Sequence, residues 1–168
     1  MKQSCKVLIV MGSDSDFPVL KPAFKTLTRF GVEYKAVVCS AHRTPETAAK
    51  LSKEAKQEGF SVIIAAAGLA AHLPGVMAAF TTLPVIGLPV SGGALNGLDS
   101  LYAIVQMPKG IPVATVAIDG AENAALLAVQ ILAVSDENLA EKMSEHKIEM
   151  EKMVETRNIS LQEKLKEL

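Results

Sequence analysis

The chain has no tryptophan and only two tyrosines and five phenylalanines among its 168 residues. Its core must therefore be built from aliphatic side chains and alanine. Two cysteines, Cys5 and Cys39, are too few for a disulfide framework or a cysteine metal site. They fall at the start of one expected strand and the end of another, beyond bridging reach at about 3.3 Å of rise per residue, and both read as plain thiols. Net charge is −1, from 17 Lys and Arg against 18 Asp and Glu. That balance excludes a broadly basic nucleic-acid surface and leaves room for one cationic phosphate pocket. No apolar run approaches the roughly 18 residues of a membrane span, and MKQSCK runs into a strand-like segment without a signal-peptide pattern. A cytoplasmic protein with no membrane or nucleic-acid partner is expected.

What is present is a chain 49% hydrophobic and 21% charged, the balance of a single packed domain. Lys6–Met11 (KVLIVM) is a continuous apolar run of strand length, the mark of a strand buried on both faces of a parallel sheet. Gly12 ends it, a Ser/Asp cluster and Pro18 open a helix, and Phe30 and Gly31 close that helix. Glu33–Val38 is a second strand, followed by a loop over 40–44 and a helix from Pro45 to Gly59. Residues 61–66 make a third strand, with a helix through Val76, Met77 and Phe80 behind it. Residues 84–90 make a fourth, a Gly-rich loop over 91–97 leads to a helix over 98–106, and residues 111–118 supply a fifth.

Strands alternating with helical crossovers predict an α/β fold, a parallel sheet with helices on both faces, in the flavodoxin-like order 2-1-3-4-5. Residues 121–134 read as a helix apolar on nearly every side, buried all round or set at a subunit contact. Beyond Asp136 the chain is charged and helical, with Leu139, Met143, Met150, Met153, Leu161 and Leu165 forming a stripe that packs either on its own domain or on a neighbouring subunit.

Ligands of such sheets bind beyond the carboxyl ends of the strands, so the loops there carry the chemistry. Gly12-Ser13-Asp14-Ser15-Asp16 offers backbone N–H groups and hydroxyls to a phosphate and a carboxylate to a ribose. A plain helix cap accounts for the same residues. The segment lacks the Gly-Lys-Ser/Thr ending of a triphosphate loop and the spaced glycines of a dinucleotide site. Ser40-Ala41-His42-Arg43-Thr44-Pro45 places a bidentate phosphate ligand beside a side chain whose ordinary pKa of ~6.5 suits proton transfer, although Thr44-Pro45 also makes a good helix start. His72, after the small-residue run at Gly68, is either a pocket group or a structural donor, and His146 falls on the charged helix as a surface or packing residue. The loops at 91–97 and 106–110 name no reaction.

Taken together and in this order, GSDSD, SAHRTP, AAHLPG, LDSLYAIVQMP and GIPVATVAI resemble the bacterial PurE family, the N5-carboxyaminoimidazole ribonucleotide mutases of purine biosynthesis. The resemblance runs over roughly residues 6–134. It implies a flavodoxin-like three-layer domain, here 1–134, with 135–168 as a helical extension docking on a neighbour in a homo-octamer. It implies a cofactor-free and metal-free enzyme that moves a carboxylate from the exocyclic nitrogen of an aminoimidazole ribonucleotide to ring carbon C4. By motif, His42 matches the acid/base, and Ser13, Asp16 and Arg43 match nucleotide-binding positions. Ser15, Ser40, Ala41, Gly68, Ala71, His72 and Leu73 match other pocket positions. Leu69 stands where the family usually has a second glycine, and Asp119-Gly120-Ala121-Glu122 replaces a more glycine-rich link.

The alternative within the family is a carboxylase that adds CO2 to the unsubstituted ribonucleotide, whose animal branch carries different sequences in the third-strand loop. Of another class would be a receiver or flavin-binding module. A receiver wants an Asp where this chain has Ala67 and Gly68, and a flavin carrier wants rim aromatics that these loops lack.

Overall fold

The computed structural model describes residues 6–168, so Cys5 lies outside the described residues. In chain order the elements are β1 (Lys6–Met11), α1 (Phe17–Phe30), β2 (Glu33–Val38), α2 (Pro45–Glu54), β3 (Phe60–Gly68), α3 (Leu73–Ala79), β4 (Val85–Val90), α4 (Leu98–Val105), β5 (Ala114–Thr115), α5 (Ala121–Ala133) and α6 (Glu137–Lys166). The sheet order is β2-β1-β3-β4-β5 and every pairing is parallel, as the alternation of strands and helices predicts.

Period-two alternation along β1 divides the core in two. Val7, Ile9 and Met11 face the side covered by α1, α5 and the start of α6, while Leu8 and Val10 face the side of α2, α3 and α4. The register sets Met11 opposite both Val38 and Ala66, and Gly68 opposite Val90. Four strands therefore end at one rim, and the loops that leave them converge there.

The edge strands depart from expectation. From Val7 onward β1 is buried, as are most of β3 and all of β4, but five of the six residues of β2 are exposed, because one side of an edge strand has no neighbouring strand. The fifth strand shrinks from 111–118 to two residues. Val116 and Asp119 donate their N–H groups to Gly87 and Pro89 carbonyls at 3.1 and 2.9 Å, so this side of β4 faces β5. Pro112 and Pro89 have no N–H to add to that ladder.

Helix α5 is buried on one face, through Ala124, Ala128, Val129 and Leu132, with Leu126, Leu127 and Ile131 half-buried and Gln130 exposed, so it is not enclosed all round. Asp136 caps α6 by accepting the Leu139 N–H at 3.1 Å. Leu139, Met143 and His146 are buried, and every residue from 151 onward is exposed. The apolar stripe is thus split: its first part packs on the domain, and Met153, Leu161 and Leu165 are each at least half exposed. His146 is a packing residue, edge-on to Phe30 with centroids 5.8 Å apart. Among the described residues no helix is long and apolar enough to cross a membrane.

Candidate active site

The loops after β1 and β2 are shaped by local hydrogen bonds in which the side chains of Ser13, Ser15, Asp16, Ser40 and Arg43 themselves take part. After β1, the Ser13 hydroxyl accepts the Ser15 N–H at 3.3 Å and the Ser13 N–H donates to Asp16 Oδ2 at 3.1 Å, a reciprocal cap on the short 3-10 turn Asp14–Asp16. The Ser15 hydroxyl donates to Ser13 Oγ at 2.8 Å. These are the bonds of a helix cap, and the same three side chains also border the cavity at this rim. Burial pushes the Asp16 carboxyl above its ordinary value and the nearby Asp14 charge adds to this, against the Ser13 and Gly12 backbone groups and the Ser15 side chain, whose hydrogen bonds pull it down.

After β2, Thr44 turns its hydroxyl back rather than capping α2. Thr44 Oγ1 donates to the Ser40 carbonyl at 2.9 Å and accepts the Ser40 N–H at 3.1 Å. The Ser40 hydroxyl in turn accepts from the Arg43 backbone N–H at 3.2 Å and from Arg43 Nε at 3.4 Å. One edge of the guanidinium is held by the loop, and its terminal nitrogens remain available for a phosphate. Cys39, just behind, is buried and free, with Sγ 3.5 Å from Thr44 Oγ1.

After β3, Gly68 passes so close to β4 that a Cβ there would stand 3.2 Å from the Val90 carbonyl oxygen. Two tight backbone bonds follow, Ala71 N–H to Leu69 O and His72 N–H to Ala70 O, each 2.8 Å, and Leu73 and Pro74 open α3. This turn carries His72 to His42: His42 Nε2 and His72 Nδ1 are 2.7 Å apart, with the rings inclined at 71°. One nitrogen must carry the proton that the other accepts, so the two exposed imidazoles share a proton between different loops.

These loops enclose a cavity of about 650 Å³, within the usual size for a small-molecule site of roughly 300–1,000 Å³. Ser13, Ser15, Asp16, Ser40, Ala41, His42, Arg43, Gly68, His72 and Leu73 all line it. Ala71 does not line it; it is 1% exposed and packs into the core beneath the loop. Leu69, which the sequence marks only as a departure from the family's usual glycine, also lines the cavity, and Gly12, Ala67, Ala70, Val90 and the segment 91–93, which sequence reasoning did not name as site residues, complete the wall. The available signal was their position at the ends of β1, β3 and β4, the same rim rule that located the rest. Among the described residues no group of three or more His, Cys, Asp or Glu side chains is placed to hold a metal ion.

Comparison with known proteins gives this geometry a family. The chain is 56% identical over 155 residues to the N5-carboxyaminoimidazole ribonucleotide mutase of Pyrococcus horikoshii, covering 92% of this chain and 88% of that protein. It is 52% identical over 150 residues to the phosphoribosylaminoimidazole carboxylase of Candida albicans, covering 89% of this chain but only 26% of that longer protein. The crystal structure of Treponema denticola PurE matches with a TM-score of 0.79 at 31% identity, over 89% of this chain and 94% of that one. The sequence model for AIR carboxylase matches residues 6–153, and the chain belongs to the AIR carboxylase family.

Proposed function

We propose that the chain converts N5-carboxyaminoimidazole ribonucleotide to 4-carboxy-5-aminoimidazole ribonucleotide, the reaction after which its Pyrococcus relative is named. The observation that carries this reading is the 2.7 Å contact between His42 and His72 in a cavity also lined by Arg43, Ser13 and Asp16. A proton source thereby sits beside anion and hydroxyl ligands. His42 protonates the carbamate nitrogen, the N–C bond breaks and CO2 leaves. The electron-rich ring carbon C4 then attacks the same CO2, and His42 takes up the proton displaced from C4.

The proton given in the first half is recovered in the second, so no oxidant, nucleotide or metal enters the balance. His72, through its hydrogen bond to His42 Nε2, holds that ring in register. Arg43, Ser13 and Asp16 grip phosphate and ribose, turning binding energy into orientation of the imidazole. Ser15, Ser40, Ala41, Gly68 and Leu73 shape the remaining wall. In this reading the enzyme is cytoplasmic and assembles as a homo-octamer, its apolar α6 stripe covered by neighbours, with residues 135–168 an extension of the catalytic domain.

A second reading is the direct carboxylase, supported by the identity to the Candida protein. The two are separated by turnover without ATP or metal of substrate 13C-labelled in its carbamate, in a large excess of unlabelled bicarbonate. The mutase gives labelled product. Product whose label has fallen to that of the bicarbonate, after correction for spontaneous decay of the substrate, overturns the mutase and leaves the carboxylase.

A further inference from the structure

Leu69 combines two features that the fold does not require. Its backbone is left-handed, with φ 55°, a conformation disfavoured for any residue bearing a Cβ. Its side chain is 54% exposed, so core burial does not offset that strain. The leucine instead lies against Gly93 on the loop after β4: a Cβ at Gly93 would stand 2.6 Å from Leu69 Cδ2. It bridges two rim loops from either side of the cavity wall and, with Ala67, Ala70 and Val90, lends that wall an apolar surface beside His42 and His72.

We infer that Leu69 is a cover that keeps released carbon dioxide in the site, a positioning residue for the recarboxylation half of the reaction; the inference rests on the mutase reading above. Cleavage of the protonated carbamate yields an amine and neutral CO2. Capture forms the C4–carboxylate bond and returns one proton to His42, with nothing else consumed. Neutral CO2 offers no charge for Arg43 or the hydroxyls to hold, so its fate is decided by how well the apolar wall closes against water. A leucine spanning the β3 and β4 loops closes that wall, and the strained backbone at position 69 aims it there.

The test compares wild type with Leu69→Ala, Leu69→Met and Gly93→Ala, measuring 13C retention from labelled carbamate during single turnover in excess unlabelled bicarbonate. Leu69→Ala should lower the ratio of retained to escaped label about tenfold, the result of a 1.36 kcal/mol change in the difference between two barriers. Leu69→Met should restore most of it, and Gly93→Ala, whose new methyl both displaces the leucine and strains a backbone held at φ 62°, should reproduce at least that loss. Affinity for the unreactive ribonucleotide phosphate should stay within about twofold throughout. If wild type and Leu69→Ala retain label equally, the cover does not exist and the mutase reading stands without it. If Leu69→Ala loses nucleotide affinity along with the label, Leu69 is structural and the inference fails. Wild-type product at the label level of the bicarbonate would overturn the mutase reading, and the cover with it.

Discussion

Two truncations of α6 should have opposite consequences, because its two parts are held by different things. Every residue from 151 onward is exposed, so removing 151–168 takes no buried side chain from the subunit and should shift its intrinsic stability by no more than about 0.5 kcal/mol. Removing 136–168 also takes Leu139 and Met143, which are 5% and 8% exposed, and the 2.9 Å bond from Lys142 Nζ to the Phe30 carbonyl. Each buried side chain contributes about 1.5–3 kcal/mol and the hydrogen bond about 1 kcal/mol. The loss of about 4–7 kcal/mol is comparable with the whole stability of a domain, about 5–15 kcal/mol. The salt bridge from Arg29 to Glu149 would go as well, but both partners are more than half exposed, so it adds little. The shorter truncation should unfold cooperatively in urea, yet show a lower mass by light scattering, since it deletes the apolar residues Met153, Val154, Ile159, Leu161 and Leu165 that the subunit leaves in solvent. Unchanged mass would refute the assignment of that stripe to a neighbour. Wild-type cooperativity after removal of 136–168 would refute the packing argument.

His42→Asn should preserve folding and nucleotide binding while lowering kcat by about 100-fold or more, the usual contribution of general acid–base catalysis; a variant within about tenfold of wild type contradicts the role. Arg43→Ala should weaken calorimetric binding of substrate and of the unreactive ribonucleotide phosphate alike, by about 10- to 150-fold for a lost charged hydrogen bond of ~1.5–3 kcal/mol, and an unchanged affinity removes Arg43 from the phosphate site. Asp16 should leave a signature in stability against pH. Its folded-state pKa lies above the ordinary 3.8, so between the two values the folded state binds the extra proton, and stability from this group falls as pH rises through that window. Relative to Asp16→Asn, wild type should therefore be most stable on the acid side and lose that advantage toward neutrality in urea titrations at successive pH values. Parallel profiles would show that burial does not raise this carboxyl.

Most of the scaffold is legible in local chemistry alone. The unbroken apolar runs of β1, β3 and β4, each followed by Gly or Ser, and the Pro-marked helix starts after β1 and β3 are enough to set the order of elements, and parallel crossovers then leave few sheet orders to choose from. The same logic placed Ser13, Asp16, His42, Arg43 and His72 on one rim, because every one of them follows the carboxyl end of a strand. Edge behaviour was not legible. The β2 and β5 segments carry strand-like residues, but whether a strand is covered depends on what lies beside it, and the short pairing of β5 depends on Pro89 in a different strand.

The sequence by itself determined which residues could meet, since strand period and turn chemistry act over a few neighbours along the chain. Only the tertiary structure decided which of them do. His42 and His72 are 30 residues apart and share a 2.7 Å contact because the loops after β2 and β3 leave the same rim of one sheet and meet across the end of β1, which lies between those strands. Ala71, inside the matching motif, turns into the core because the tight bonds at Leu69 and Ala70 reverse the chain just before α3. Leu69 joins the site because its left-handed backbone and a bare glycine 24 positions away leave room for one side chain between two loops. Such placements depend on distances between segments remote in sequence, and those are set by packing of the whole domain rather than by any local pattern.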